Sequence, residues 1–275
     1  MRIFISVDIE GVAGIVHPHQ GRMGEVDYER CRRLMTQEAN AAIEGALQAG
    51  AQEIVVNDSH AEARNLVAEE LNPAAELISG YPKALYMCQG MGPGFDAAFF
   101  VGYHGGAGAR DAVIDHTYSS KVAREVRLNG VRQTEGSLNG QVCGYFGCPV
   151  ALFTGDAAAV CEMHEFVTEV EGVVVKESMG RYVARSLHPE VARDRIRAGA
   201  RRAIERLDNI PPLRVEGLVE MEIDVHDTAM ADVGELVPGV RRLAGRTLAF
   251  AHEDYLEVFR CMLVLLALGQ TVILR

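Results

Sequence analysis

The chain has 275 residues, 48% of them hydrophobic and 24% charged, which is the balance of a globular protein with apolar residues for one large domain or two smaller ones. Its 38 acidic residues outnumber 27 basic ones and give a net charge of −11, which argues against general binding of nucleic acid through phosphate contacts. The last apolar block, 261–269, is about half the ~20 residues of a membrane span, so we expect no membrane partner.

The first half of the chain alternates strand-like and helix-like segments. An apolar run at 2–8, rich in isoleucine and phenylalanine, predicts a strand buried on both faces. The small-residue pattern at 27–49, between an aspartate and a glycine, predicts a helix. Further apolar runs at 53–60, 95–104 and 149–156 predict more parallel strands, each ending in polar residues.

Two further elements lie between the last two of these strands. Asn129-Gly130 in the middle of 125–133 predicts a type I′ hairpin, and the segment 135–147 predicts a helix with several glycines. The alternation of strands and helices with apolar strands is typical of an α/β fold.

The pattern of predicted strands and helices changes after about residue 165. We predict a strand at 171–176, an arginine-rich helix at 189–207, strands at 213–223 and 246–251, and a closing amphipathic helix at 253–269. The predicted fold is α/β, with a three-layer αβα core around a mostly parallel sheet and a smaller α+β carboxyl-terminal subdomain. We expect the boundary between residues 1–165, the metal-binding catalytic core, and 166–275.

Three predicted strands end in side chains that can bind a metal. Asp8 and Glu10 end the first strand, His60 the second and His104 the third, while Glu135 begins the helix after the hairpin. Because ligands bind at the carboxyl ends of parallel strands, we expect these side chains to meet at one edge of the sheet.

Two imidazoles and three carboxylates form a set that suits zinc, with manganese or cobalt possible by the same chemistry. Five ligands exceed what one open tetrahedral site needs and suit two ions that share a carboxylate. The alternative is that the histidines are hydrogen-bonded loop residues, and the spacing alone does not decide between the two. Asp58 and Ser59 are candidates for supporting the ligands or for making a turn.

Other catalytic and binding motifs are absent or incomplete. The glycine-rich loop GGAGA at 105–109 follows a strand but has Asp111 where GxGxxG requires its third glycine. The sequence contains no phosphate-binding GxxxxGK[ST], no HExxH and no GxSxG.

Six blocks of the sequence resemble the M55 metallopeptidases, the D-aminopeptidases of the dipeptide-operon type. Their order and spacing match over roughly residues 1–160, and VPG at 237–239 and the closing helix extend the match. The blocks are SVDIEG at 6–11, VNDSH at 56–60, LISG at 77–80, VGYH at 101–104, DHTYS at 115–119 and EGSLN at 135–139.

The resemblance implies a self-compartmentalising aminopeptidase with two zinc ions per subunit, assembled as a homodecamer of two stacked five-membered rings. It implies hydrolysis of short peptides with an amino-terminal D-residue, notably D-alanine, by metal-activated water. The family's catalytic histidine falls on His116. Its zinc ligands fall on Asp8, Glu10, His60, His104 and Glu135, with Asp8 as the bridge.

Two alternatives to this function remain open. The same two-zinc fold could act on L-peptides or on other amides, including peptides derived from peptidoglycan. A protein of a different class, such as a non-catalytic α/β module that binds a small ligand through the 105–109 loop, would have no reason to retain zinc.

The six cysteines are scattered and form no CxxC pair, so we expect buried free thiols rather than disulfides. The first residues carry one arginine and an apolar run interrupted at Asp8, which is unlike a signal peptide. We therefore expect a soluble, cytoplasmic protein.

Overall fold

The structure, a computed structural model, describes residues 1–273, which form twelve strands and six α-helices. The strands are β1 (Arg2–Val7), β2 (Glu53–Asp58), β3 (Ala75–Ile78), β4 (Ala97–Tyr103), β5 (Ala123–Leu128), β6 (Val131–Arg132), β7 (Val150–Asp156), β8 (Glu171–Gly180), β9 (Val183–Ser186), β10 (Val219–Val225), β11 (Arg241–Ala244) and β12 (Thr247–His252). The helices are α1 (Tyr28–Gln48), α2 (Glu135–Tyr145), α3 (Ala157–Phe166), α4 (Pro189–Glu205), α5 (Thr228–Gly234) and α6 (Tyr255–Thr271).

The larger sheet has seven strands in the order β3-β2-β1-β4-β7-β8-β9. All its neighbouring pairs are parallel except β8 with β9. β4 and β7 are buried at every residue, as the apolar runs predicted, because helices cover both faces of the sheet. The predicted α/β class with a mostly parallel sheet is confirmed.

Helices cover the two faces of this sheet and give it three layers. On β8, Val173 faces α4 at Gly199, whereas its neighbour Gly172 faces Val160 of α3, so α4 and α3 lie on opposite faces. α1 packs along α4, and α2 contacts α3. The predicted αβα core is therefore present.

A second sheet has five antiparallel strands in the order β11-β12-β10-β5-β6, with α5 and α6 packed against it. The predicted hairpin joins β5 to β6, and both central residues, Asn129 and Gly130, have the positive φ of a type I′ turn. Each sheet takes strands from both sides of residue 165, so the two sheets do not coincide with 1–165 and 166–275.

Five elements were not predicted, and two predicted strands had wrong boundaries. The unpredicted elements are short segments with no strong periodicity that tertiary packing stabilises: β3, α3, β9, α5 and β11. The strand predicted at 171–176 continues to Gly180. The strand predicted at 213–223 begins only at Val219. Residues before it lie against α2 instead, where Gly144 has no side chain and the backbone of Leu213 fits in its place.

Two further predictions concern the state of the cysteines and the presence of a membrane-spanning segment. All six cysteines are free, and five of them are buried as expected, but Cys161 on α3 is exposed. Within residues 1–273, no helix has both the length and the apolar character needed to cross a membrane.

The segment 10–15, which follows β1, is held by a buried lysine. Lys176 of β8 donates hydrogen bonds to the carbonyl oxygens of Glu10, Val12 (3.0 Å) and Ile15 (2.6 Å). An ammonium group has three N–H donors, and each of them has an acceptor here. Lys176 therefore fixes the backbone from which the Glu10 side chain projects.

We predict that Lys176→Met lowers the free energy of unfolding by roughly 3–5 kcal/mol, because three buried carbonyl groups lose a charged donor. Urea unfolding at a fixed protein concentration measures this. The control is Arg201→Met on α4, which removes an exposed ion pair with Glu205 and should change stability by less than ~1 kcal/mol. Equal stability of the two variants would contradict the role of Lys176.

Candidate metal centre

The structure brings the five predicted ligands and His116 together at the carboxyl edge of the larger sheet. β2, β1 and β4 are neighbours in the sheet, so the residues that follow them converge. Asp8 and Glu10 follow β1, His60 follows β2 and His104 follows β4. Glu135 arrives from another direction, as the first residue of α2, whose amino end is capped by the Thr134 hydroxyl.

Three of these side chains, Asp8, Glu10 and His60, form a first ligand group. His60 Nδ1 lies 2.9 Å from Glu10 Oε2 and 3.3 Å from Asp8 Oδ1. One potential ligand atom from each residue lies within 4.8 Å of the others. A single ion could contact all three.

His104, His116 and Glu135 form a second ligand group by the same measure. Glu135 Oε1 lies 3.5 Å from His104 Nε2 and 3.6 Å from His116 Nε2. The two imidazole rings stack with their centroids 4.0 Å apart and their planes 6° from parallel.

Asp8 connects the two ligand groups. Its Oδ1 faces His60 of the first group, and its Oδ2 lies 3.4 Å from His104 Nε2 of the second. A carboxylate that offers one oxygen to each group has the arrangement of a bridging ligand.

The other ring nitrogen of each histidine fixes its protonation pattern. His60 Nε2 lies 2.9 Å from the Gly21 carbonyl, His104 Nδ1 3.0 Å from that of Gly105, and His116 Nδ1 2.8 Å from that of Ile114. A carbonyl only accepts, so each of these nitrogens carries the hydrogen. When the ring is neutral, its remaining nitrogen directs a lone pair into the site, as metal-binding histidines do.

Gly21 is required for the position of His60. A Cβ atom at Gly21 would lie 2.8 Å from His60 Nε2 and 2.9 Å from Ile9 Cγ2, which is closer than van der Waals contact. The absence of a side chain lets the carbonyl group approach the ring. Sequence reasoning missed this residue, because the contact joins positions 39 residues apart.

The carboxylates of the centre perturb the pKa values around them. Burial, followed by repulsion from Glu10, raises the pKa of Asp8 to about 8. Burial opposes charging of His104, but attraction to Glu135 and to Asp8 outweighs it and raises its pKa to about 10. Burial would also raise the pKa of Glu10, yet attraction to His60 lowers it. The cluster therefore binds positive charge strongly.

The polar atoms of the centre fit a metal. Glu10 Oε2 and His104 Nε2 are buried and make no hydrogen bond with any of residues 1–273. Buried polar atoms without a partner are costly, so such atoms point to a ligand. The donors are imidazole nitrogen and carboxylate oxygen, which is the set that zinc prefers in catalytic sites.

His116 and His60 are the most exposed members of the cluster. Their side chains are 15% and 13% exposed, whereas those of His104 and Glu135 are 1% and 4% exposed, so both rings reach the open side of the centre. Burial and the neighbouring His104 lower the pKa of His116. The lone pair on Nε2 is placed to accept a proton or to contact an ion.

Residues around the centre hold its ligands in place. Asp58 accepts hydrogen bonds from the backbone of Asn65 and Leu66 and so closes the loop that carries His60. The backbone N–H of Tyr118 donates to Glu135 Oε1 over 2.6 Å. Asp58 was a candidate for such a role from the sequence, whereas Tyr118 was not.

The glycine-rich loop 105–109 does not resemble a phosphate cradle. The N–H of Gly106 donates to Glu162, that of Ala107 to Thr117 and that of Gly108 to Asp115. A phosphate would need these donors, and two of them already face carboxylates, which would repel it. The geometry therefore does not favour nucleotide binding by this loop.

We predict that Asp8→Ala removes more bound metal per chain than His104→Ala does, because Asp8 faces both ligand groups and His104 belongs to one. Elemental analysis of freshly purified, chelator-free protein measures this. His164→Ala is the control, since that ring bonds the Val170 carbonyl and should leave the metal content unchanged. Equal losses in the two ligand variants would refute a bridging Asp8.

Comparison with known proteins gives a consistent family. The sequence model of the M55 peptidase family, which is described as D-aminopeptidase, matches residues 1–264. A D-aminopeptidase of Bacillus subtilis (strain 168) is 34% identical over 270 residues, which are 98% of this chain and 98% of that protein. The solved structure of the Zn-dependent D-aminopeptidase DppA from Bacillus subtilis, described as a self-compartmentalizing protease, superposes with a TM-score of 0.97 at 32% identity over the whole of both chains. This chain therefore belongs to the M55 peptidase family, as its sequence blocks predicted.

Proposed function

We propose that this chain is a zinc-dependent aminopeptidase, a hydrolase of short peptides whose amino-terminal residue is a D-amino acid of the D-alanine type. The observation that carries the proposal is the position of Asp8 between two ligand groups in a chain of the M55 family. The name of the curated relative and the zinc dependence of the solved relative support it. Action on L-peptides or other amides is the alternative that the test must address.

The proposed ligands divide between two zinc ions per subunit. Asp8, Glu10 and His60 would hold one ion, and Asp8, His104 and Glu135 the other. Zinc in such a site supplies Lewis-acid chemistry, which polarises a carbonyl group and brings the pKa of water toward neutrality. The hydrogen bonds from His60 Nε2 and His104 Nδ1 to backbone carbonyls keep the two rings oriented for binding zinc.

His116 is the proposed catalytic residue. Its Nδ1–H is held by the Ile114 carbonyl, so Nε2 is the atom that can take a proton from water and return one to the departing amine. His116 Nε2 lies 3.6 Å from Glu135 Oε1 of the second ligand group and 4.0 Å from Glu10 Oε1 of the first. Its position at the open side is where a substrate would approach.

We further propose that the chain forms a homodecamer of two stacked five-membered rings in the cytoplasm. The solved relative is described as self-compartmentalizing, which supports a closed assembly. Free cysteines throughout residues 1–273 support a reducing compartment. Enclosure would admit short peptides and keep folded proteins from the catalytic centre.

The function is tested with a panel of dipeptides and tripeptides that differ only in the chirality of the first residue. We expect zinc-loaded protein to cleave D-alanyl peptides with a much larger kcat/KM than their L-alanyl counterparts, because the relative that is 34% identical over 98% of this chain is named a D-aminopeptidase. Cleavage of the L-peptides alone would refute D-selectivity and support an aminopeptidase that acts on L-peptides. Failure to cleave any member would refute the proposed enzyme.

His116→Ala is the matched variant for this panel. If His116 moves protons, the variant should keep both zinc ions while turnover falls ~10²–10⁴-fold, the usual contribution of a positioned acid or base. Lost zinc would make His116 a ligand instead, and unchanged turnover would remove it from the mechanism.

The assembly is tested by light scattering coupled to size-exclusion chromatography under conditions in which the protein is active. We expect a particle of about ten chains. A stable, active monomer would contradict the proposed compartment.

A further inference from the structure

Lysine is rare in this chain and its placement is unusual. Of the 27 basic residues, 24 are arginine and three are lysine, namely Lys83, Lys121 and Lys176. Lys176 lies beneath the metal centre, where it holds the segment 10–15. The other two line one cavity.

This cavity, here called the lysine cavity, has a volume of ≈ 650 Å³ and is lined by Lys83, Lys121, Tyr81, Tyr86, Tyr118 and by residues of α6. It adjoins the metal centre through two contacts. Ala61, the residue after His60, accepts a hydrogen bond from the Tyr86 hydroxyl, and the backbone of Tyr118 donates to Glu135. A peptide cleaved at the centre could therefore extend into the cavity.

The two ammonium groups of the cavity lack a carboxylate partner. Lys83 Nζ donates to Asn57 Oδ1 (2.8 Å) and to the Asp58 carbonyl (2.7 Å), which leaves one of its three N–H groups free. Lys121 is exposed, and within residues 1–273 neither lysine forms an ion pair. Glu62, the acidic residue of the lining, is paired with Arg64 instead.

Apart from Gln270, the rest of the lining is aromatic and apolar. The ring centroids of Tyr81 and Tyr86 are 6.0 Å apart, and those of Tyr86 and Tyr118 are 5.8 Å apart, so the three rings form a continuous wall. Leu263 and Leu266 of α6 add aliphatic surface. Such a lining fits a short chain with small side chains and one negative charge.

We propose that the lysine cavity binds the leaving-group portion of a short peptide and pairs its carboxyl-terminal carboxylate with Lys83 and Lys121. The inference rests on the proposed function. The free carboxylate is the charge that every unmodified short peptide carries at the end opposite its α-amine. An ammonium group is a point charge on a flexible stem, so it accepts a carboxylate in many orientations, which suits substrates of different sequence.

Binding of a non-cleavable D-alanyl dipeptide, in which CH₂ replaces the scissile carbonyl group, tests this independently of turnover. Calorimetry on the zinc-loaded protein compares the free acid with its carboxyl-terminal amide. We expect the acid to bind ~10-fold more tightly, because charge-assisted hydrogen bonds exceed neutral ones. Equal affinity of the acid and the amide would overturn the proposal.

Lys83→Met and Lys121→Met locate the effect. Each variant should weaken binding of the acid toward that of the amide while affinity for the amide stays unchanged. Arg201→Met, which removes one positive charge from the exposed face of α4, should preserve the preference for the acid. A preference that survives both lysine substitutions, or affinity lost equally for acid and amide, would refute the assignment.

The outcomes separate this inference from the proposed function. If no peptide of the D- and L-panel is cleaved but the acid still binds more tightly than the amide, carboxylate binding by the lysine cavity is supported and the aminopeptidase activity is refuted. If D-peptides are cleaved but the acid and the amide bind equally, the aminopeptidase activity is supported and carboxylate binding by the cavity is refuted.

Discussion

Three buried carboxylates that meet at one edge of the sheet are the constraint on which the rest of the structure depends. Asp8, Glu10 and Glu135 are each less than 10% exposed, and like charges at this distance repel strongly in a medium of low polarity. Imidazoles are the nearest protein groups that can offset them. When protonated, they offset this repulsion, and the raised pKa of His104 reflects this attraction. When neutral, each donates an N–H to a backbone carbonyl and directs a lone pair toward the carboxylates. The two divalent cations that we propose would offset the repulsion between the carboxylates and accept the lone pairs of the imidazoles.

The fold outside the centre keeps these repelling groups in place. Parallel pairing of β1 with β2 and β4 sets three strand ends side by side. Lys176, on the same sheet but four positions from β2 in the strand order, holds the segment that carries Glu10. The Gly21 carbonyl sets the His60 ring, and the Thr134 cap sets the start of α2, where Glu135 stands. These contacts orient the ligands through protein groups, which restricts the motion of the ligand side chains.

The predictable parts of this protein are local in sequence. The apolar run of β1, the carboxylates that end it and the histidines after β2 and β4 all follow from residues within one element, and the structure brings them together. The interactions that could not be predicted join distant residues, such as Lys176 with Glu10 across 166 positions. The start of β10 was misplaced for the same reason, since packing of Leu213 against Gly144 overrides the alternating pattern before Val219.

The most direct measurement is a crystal structure of the purified protein with anomalous diffraction collected above and below the zinc absorption edge. We predict two anomalous peaks per chain, with one oxygen of Asp8 within ~2.0–2.2 Å of each ion, the usual distance for zinc and a carboxylate. His60 should contact one ion and His104 the other. A single peak, or two peaks of which Asp8 contacts only one, would contradict the bridging position of Asp8.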